Sequence, residues 1–448
     1  MSTTPLNDIQ FTKTKGGLGR KTANEDPISG LLMLLPELSH FGFLSGNLEH
    51  PFTELETPDG TNDLYVAKLR YPEDLATLGE GIKEEELSTR HADNTADEYK
   101  EKSAKNAVVY HVTEFFRMNP ESVLYLGIKT GGTAIHEKDI AALQNWANGT
   151  IRQCGVLTSK LRTKLGDYQA ECVAMEGRHT PLSLICTDTG CTVTVTNPTE
   201  PATELTVTPA EVSPYKLTDL TSTSTNLTSA GRCNVSVLVG FDHDNDLIQK
   251  KLGYYGYYGC LGTCLGAVSK AAVHECIAWV QKFPLGLKEP GLICDKIISE
   301  VSTSDQEAIN DNRYIFVRTH VGNADNYFND SHTLDEATSD YAYIENVRTI
   351  DKACRGVCAN LLPYLCSPLK VDAETGQLDP GTVAFLETTA GKALEDMEKA
   401  GELSGYRAEI DPEQNVLATS EVEVIIKNVP MGVMRKVHVK IGFTTSLS

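Results

Sequence analysis

Apolar residues at alternate positions mark the end of this chain. Residues 417–448 read LATSEVEVIIKNVPMGVMRKVHVKIGFTTSLS, two period-2 runs around Pro430-Met431-Gly432. Val422, Val424 and Ile426 share one face of the first run, and Val437, Val439, Ile441 and Phe443 one face of the second. Alternating β-branched and aromatic residues split by a Pro/Gly turn predict a hairpin. A hairpin alone is marginal in water and leaves open backbone edges, so something else must cover it.

The other end offers a candidate. Residues 6–15 (LNDIQFTKTK) form a short extended run with Ile9 and Phe11 on one face, followed by the flexible Gly16-Gly17-Leu18-Gly19. Both ends read as detachable strands; simple fraying is the competing reading at the N-terminal run, while the C-terminal pattern is too regular for it.

Between them, Ile28–Leu35 (ISGLLMLL) is a continuous apolar run stopped by Pro36, which predicts a buried strand. Residues 49–101 are acid-rich, with Tyr71-Pro72-Glu73-Asp74 and Glu84-Glu85-Glu86, and read as turns and short helices. Asn106–Met118 places Val108, Val112, Phe115 and Phe116 near one helical face and ends at Asn119-Pro120. Then come a strand at Ser122–Lys129, a helix near 137–148, a strand at 151–157, a helix near 160–177 and a strand at 181–187. Such alternation predicts a mostly parallel sheet covered by helices. Thr-, Ser- and Pro-rich residues 190–232 interrupt it as a β-rich or looping surface insertion. Asn234–Phe241 resumes the sheet. A Gly/Tyr-rich turn (GYYGYYGCLG) then leads into a long helix ending near Phe283-Pro284, and a further strand falls at Tyr314–His320.

In the last third, Tyr341–Cys366 reads as one amphipathic helix with Ile344, Val347, Ile350, Val357 and Leu361 at helical spacing, bent or ended by Pro363. A second helix, about 382–400, follows Asp379-Pro380-Gly381 and stops at Gly401, before a strand at 406–410. The fold class is therefore α/β plus α+β. A helix-covered mixed sheet with a β-rich insertion precedes two helices on a small antiparallel sheet, and both ends extend as arms.

Length and charge add to this. The chain's 448 residues and 40% apolar content suit a protein of two or three domains. No apolar run reaches the roughly 20 residues of a membrane span, and the start, MSTTPLNDIQ, lacks a signal-peptide pattern. The expectation is a soluble protein made in the cytoplasm, its twelve cysteines reduced core residues rather than a disulfide framework. The net charge is −21, yet residues 1–21 carry +3 (Lys13, Lys15, Arg20 and Lys21 against Asp8) and residues 434–448 another +3 (Arg435, Lys436, Lys440), leaving −27 on the body. Basic tails on an acidic body suit docking on an acidic surface, their own or a neighbour's, or simple solubilisation. Nucleic acid is a poor partner for such a body.

Signals for catalysis are weak. No phosphate loop of the Gly-x-x-x-x-Gly-Lys-Ser/Thr type is present, and Gly131-Gly132-Thr133 is too short a match to be more than a turn. The glycines of 253–266 follow a strand and open a helix but lack the dinucleotide spacing, so they read as a structural turn. Asp242-His243-Asp244-Asn245-Asp246 lacks the sixth-position Gly and closing Glu of a calcium loop. No Cys-x-x-Cys, Gly-x-Ser-x-Gly or His-Glu-x-x-His occurs, and neither metal nor cofactor is expected.

Tyr341–Phe443 resembles the C-terminal domain of contractile tail sheath proteins of bacteriophages and related injection machines. The resemblance rests on Val347-Arg348-Thr349-Ile350-Asp351-Lys352 in the first helix, Gly401-Glu402-Leu403-Ser404-Gly405-Tyr406 at the turn, a loop holding Asn415, and the strand, Pro break and final strand of 421–443. Upstream, Tyr71–Gly79 and the helix–strand pair 106–129 are similar to earlier sheath elements, while 190–232 has no clear counterpart.

The resemblance implies an N-terminal arm over 1–25, a main domain over 26–330, a C-terminal domain over 331–433 and an arm strand over 434–448. Arm residues Ile9, Phe11, Lys13, Lys15, Arg435, Val437, Val439, Ile441 and Phe443 would be donated to neighbouring subunits, and Val422, Val424 and Ile426 would belong to the receiving sheet. It further implies a helical homopolymer around an inner tail tube, with baseplate and tail-terminator partners, assembled in a virion tail or injection particle without membrane insertion. Two alternatives stay open: an α/β enzyme or nucleotide-binding protein built on 122–241, and a tail-end adaptor forming a closed ring.

Overall fold

Six consecutive buried residues, Ser29–Leu34, run through the middle of the molecule. The computed structural model describes residues 25–36, 38, 52–56, 60, 62–78, 96–189, 193–196, 206–209, 215–222, 231–243, 259–294 and 296–444. Among these, eight strands form one sheet: β1 (Ser29–Leu34), β2 (Thr53–Leu55), β3 (Leu64–Leu69), β4 (Leu124–Lys129), β5 (Gln153–Thr158), β6 (Ser183–Asp188), β7 (Val235–Leu238) and β8 (Tyr314–Ile315). Their spatial order is β8-β7-β6-β5-β1-β4-β3-β2. The run from β8 to β4 is parallel, and β3 and β2 add antiparallel at one edge.

A parallel sheet needs helices on both faces, which is why β1, β4, β5 and β6 are apolar or buried along their whole length. On one face Leu31, Met33, Leu126 and Ile128 join Val108, Val112 and Phe115 of α1 (Ala96–Met118). On the other, Leu32, Leu34, Val156 and Leu184 join Ile140 and Leu143 of α2 (Glu137–Trp146) and Leu165 and Tyr168 of α3 (Leu161–Gly177). Successive residues of β1 thus feed two different cores, as the two-residue strand period requires.

The glycines read as a turn do something else. Gly262 and Gly266 lie one helical turn apart in α4 (Leu261–Lys270). A Cβ on Gly262 would sit 2.3 Å from the His111 carbonyl oxygen, and one on Gly266 2.7 Å from that of Phe115. Their bare faces let α4 lie directly on the α1 backbone, and Gly262 N–H donates to His111 Nδ1 at 3.2 Å.

Three expectations need correction. The helix after the Gly/Tyr-rich turn stops at Lys270 rather than near Phe283. Arg348 takes the carbonyls of Ala271 and Ala272 at 3.2 and 3.4 Å, and Glu275 accepts the Ala272 N–H at 2.9 Å, so the backbone groups a longer helix would pair are used elsewhere. The acid-rich stretch contains β2 and β3 as well as a 3₁₀ helix over Pro72–Leu78. The strand at 314–320 divides into β8 and Val317–Thr319, the latter pairing with Asn326–Phe328. In the insertion, Val193–Thr196 and Thr206–Pro209 pair antiparallel and Leu217–Thr221 is a short helix.

Beyond the sheet, α5 (Ile344–Leu361) runs into a 3₁₀ turn at Leu362–Tyr364, where Pro363 ends the α-helix. Then come α6 (Pro380–Lys399), β9 (Leu403–Glu409) and β10 (Ile425–Pro430). Asp379 caps α6 by accepting the Gly381 N–H at 3.1 Å, with Pro380 at its first position. Ala353, Leu394, Met397 and Leu403 form the core between the helices and the β9–β10 pair.

Candidate assembly interface

The predicted terminal hairpin does not form. β10 pairs antiparallel with β9, from Leu403 against Pro430 to Glu409 against Ile425, with a bulge between Leu403 and Gly405. Val422, Val424 and Ile426 are half-buried, as their alternation predicts. Val422 and Val424 pack beside Leu378, Leu386 and Ile410, and Ile426 beside Leu394 and Met397. Residues 431–444 enter neither helix nor strand.

Arg435 is held on the start of α5. Its Nε donates to both carboxylate oxygens of Asp330 at 3.1 and 3.0 Å, its Nη2 donates to Glu345 Oε1, and its guanidinium lies 3.4 Å over the Tyr343 ring. These contacts draw the chain onto the start of α5 instead of back along β10. Burial opposes the arginine's charge, but Asp330 and Glu345 override it and hold the group above its ordinary range. Past this anchor the apolar side chains face water: Val437 is 64% exposed, Ile441 95% and Phe443 fully so. Such a row is what buried-partner surfaces look like before the partner arrives.

β9 and β10 are a two-stranded sheet, and among the described residues no third strand covers either edge. Helices α5 and α6 cover one face. An open sheet edge and an exposed apolar segment on one molecule are the two halves that strand addition between copies requires.

The root of the other chain end is held on the same helix. Asp26 accepts from Lys352 Nζ at 2.7 Å and Arg355 Nη2 at 3.1 Å, and Lys352 also binds Glu402 at 2.6 Å. Neighbouring Glu25 pairs with Arg152. Arg348, buried and lowered to about 10 by that burial, donates to the carbonyls of Ala271 and Ala272. Helix α5 thus carries one anchor for each chain end, Glu345 in its first turn and Lys352/Arg355 further along.

Of the residues expected to act, Ile9, Phe11, Lys13 and Lys15 lie outside the described residues. Arg435 is an intrachain anchor, while Val437, Val439, Ile441 and Phe443 are exposed beyond it. Sequence reading missed Asp330, Tyr343 and Glu345, which no local pattern marks. The acidic charge of the body and the basic charge of the tail carried the only hint.

The other candidates have structural roles. Asp242 accepts from Tyr110 at 2.9 Å, and His243 lies 3.4 Å from Glu289, while 244–246 fall outside the described residues. Lys129, ahead of Gly131-Gly132, is buried between Asp63 at 2.6 Å and Asp139 at 3.2 Å. Cys154, Cys172, Cys186, Cys260 and Cys264 are buried thiols whose ionisation burial opposes. Among the described residues no three His, Cys, Asp or Glu side chains are placed to hold a metal ion, and no helix is long and apolar enough to cross a membrane.

This fold is one that sheath proteins of contractile injection systems share. The PVC sheath complex of an extracellular contractile injection system, in its contracted state, aligns over 100% of this chain and 99% of its own at a TM-score of 0.54 and 11% identity. A chain of the anti-feeding prophage (AFP) baseplate aligns over 99% and 100% at a TM-score of 0.53 and 12% identity. By sequence, the chain belongs to the DUF2586 family, whose N-terminal domain matches residues 81–332 and whose C-terminal domain matches 340–448. No curated protein sequence matches it.

Proposed function

We propose that this chain is the structural subunit of a contractile sheath, polymerising helically around an inner tube and contracting to drive that tube through a target envelope. The observation that carries the reading is the exposed apolar segment 437–443 beyond the Arg435 anchor, on a molecule whose β9–β10 pair has open edges. The segment 437–443 of one subunit, and the run 6–15 with Ile9 and Phe11, add as strands to the β9–β10 sheet of neighbours, which includes Ile426 and adjoins Val422 and Val424. Each added backbone hydrogen bond contributes about 0.5–1.5 kcal/mol. A head-to-tail contact whose rotation does not close repeats into a hollow helix. Two alternative packings of such a mesh store mechanical energy without nucleotide hydrolysis.

The partners of this reading are further copies of the chain, the inner tube, and the baseplate and terminator at the two ends, in a tail or injection particle. Nucleic acid and membrane insertion have no part in it. Negative-stain electron microscopy of the full-length protein over a range of concentrations, with and without the inner tube protein, tests it. Hollow tubes of constant width are expected, and their loss on removing residues 1–15 would place the arm in the contact. Closed rings under every condition would mean an end adaptor, and monomers throughout, even with tube protein, would overturn the reading.

A further inference from the structure

A cavity of about 300 Å³ opens between the end of α3 and the flank of α5, beside Arg355, one of the two cations that hold Asp26. Val347, Ile350 and Pro181 supply apolar wall, and Asp351, Glu176 and Tyr341 supply polar groups. Asp351 is the anomaly. It is 7% exposed, yet among the described residues it accepts no hydrogen bond and has no cation within ion-pair distance. A buried carboxylate normally has both. Burial raises its pKa to about 7, consistent with a missing partner.

The nearby cations are engaged elsewhere. Arg152 pairs with Glu25, Arg355 with Asp26, and Lys352 with Asp26 and Glu402, while Arg348 donates to the carbonyls of Ala271, Ala272 and Asp26. Counting Glu176, whose Oε1 accepts from Asn234 Nδ2 at 2.8 Å, five carboxylates meet four cations, with His179 at the rim. One further positive charge balances the cluster. Cys233, Cys354 and Cys358 also line the space, and among the described residues no three His, Cys, Asp or Glu side chains there are placed to hold a metal ion.

We propose that this cavity binds an alkylammonium group, with its charge against Asp351 and its methylenes along Val347, Ile350 and Pro181. A lysine of a second copy or a free aliphatic amine carries this chemistry. Lys436 and Lys440, exposed and without ion partners among the described residues, are such lysines.

Calorimetric titration of the full-length protein at pH 8 with butylammonium chloride tests the site, with 1-butanol as the uncharged control. Saturable binding of the amine, none of the alcohol, and a tenfold or greater loss in Asp351→Asn are expected. Cys354→Trp, at an exposed wall position, fills the space while leaving the Asp351 carboxylate in the chain and should also abolish binding, which guards against misfolding of the first variant. Absence of saturable amine binding, or equal binding by the variants, overturns the proposal. Displacement of bound amine by a peptide of residues 434–444 identifies a second copy's lysine as the occupant, and failure to displace it identifies a free amine. Run below the concentration at which tubes form, the titration reads the unassembled chain, so failure of amine binding is distinguishable from failure to polymerise.

Discussion

Arg435 reaches across to Glu345 at the first turn of α5, and beyond this contact the C-terminal side chains are exposed. Glu345 is 2% exposed and also accepts from Ser331, so its charge depends on the arginine.

Removing the arginine should be costly for that reason. Arg435→Ala leaves Glu345 buried without its cation and is expected to lower unfolding free energy by about 2–4 kcal/mol, since breaking a buried pair exposes the full desolvation cost. Arg435→Lys should recover only part, because an ammonium cannot span Asp330 and Glu345 or stack on Tyr343 as a guanidinium does. Urea unfolding checks both, and a double variant with Glu345→Gln that loses no more than Arg435→Ala alone would establish the coupling.

Cutting the chain just beyond the anchor should do the opposite. Deleting 436–448 removes side chains that are exposed from 436 to 444 and should change stability by less than about 0.5 kcal/mol. Tube formation in the microscope is expected to disappear. A truncated protein that unfolds at a much lower temperature would show that the segment packs on its own body.

At the helix crossing, Gly262→Ala forces a methyl group to within 2.3 Å of a backbone oxygen that cannot swing aside. Overpacking of this kind costs about 1–3 kcal/mol. A guanidinium chloride midpoint unchanged from the wild type would refute the close approach of α4 to α1.

Asp351 makes the stability depend on pH in a defined direction. Its folded pKa of about 7 lies above the unfolded value of about 3.9. The folded protein therefore keeps a proton that the unfolded chain loses. Stability from this group is fully present below about pH 4, falls as pH rises to about 7, and is level above that, a total of about 4 kcal/mol at most. Unfolding curves between pH 4.5 and 8 should show this slope in the wild type and not in Asp351→Asn. Equal slopes would mean that Asp351 is not a protonated, buried group.

Much of the fold was legible because it rests on short-range patterns. The continuous apolar run at 29–34, the alternation of strand and helix from 122 to 188, and the helices near 344–361 and 380–399 are local arrangements of apolar spacing and capping residues such as Asp379 and Pro380. Less regular stretches misled. β3 lay hidden in an acid-rich region because its two faces feed different cores, Leu64 and Val66 one way and Ala67 and Leu69 the other. The helix after residue 260 looked longer than it is because Arg348, nearly eighty residues on, takes the carbonyls at its end.

Local patterning along the chain was enough for the kinds of element, most of their order, and a basic, alternating apolar segment near residue 440. The partner strand of β10, the point where that segment leaves the body, and the carboxylate left without a partner emerge only in the folded chain. Those outcomes are settled by competition among groups distant in sequence. Backbone edges pair with whichever strand the helices bring alongside, here β9. A charged side chain such as Arg435 goes where two carboxylates and an aromatic ring converge, and no spacing along the chain records that meeting.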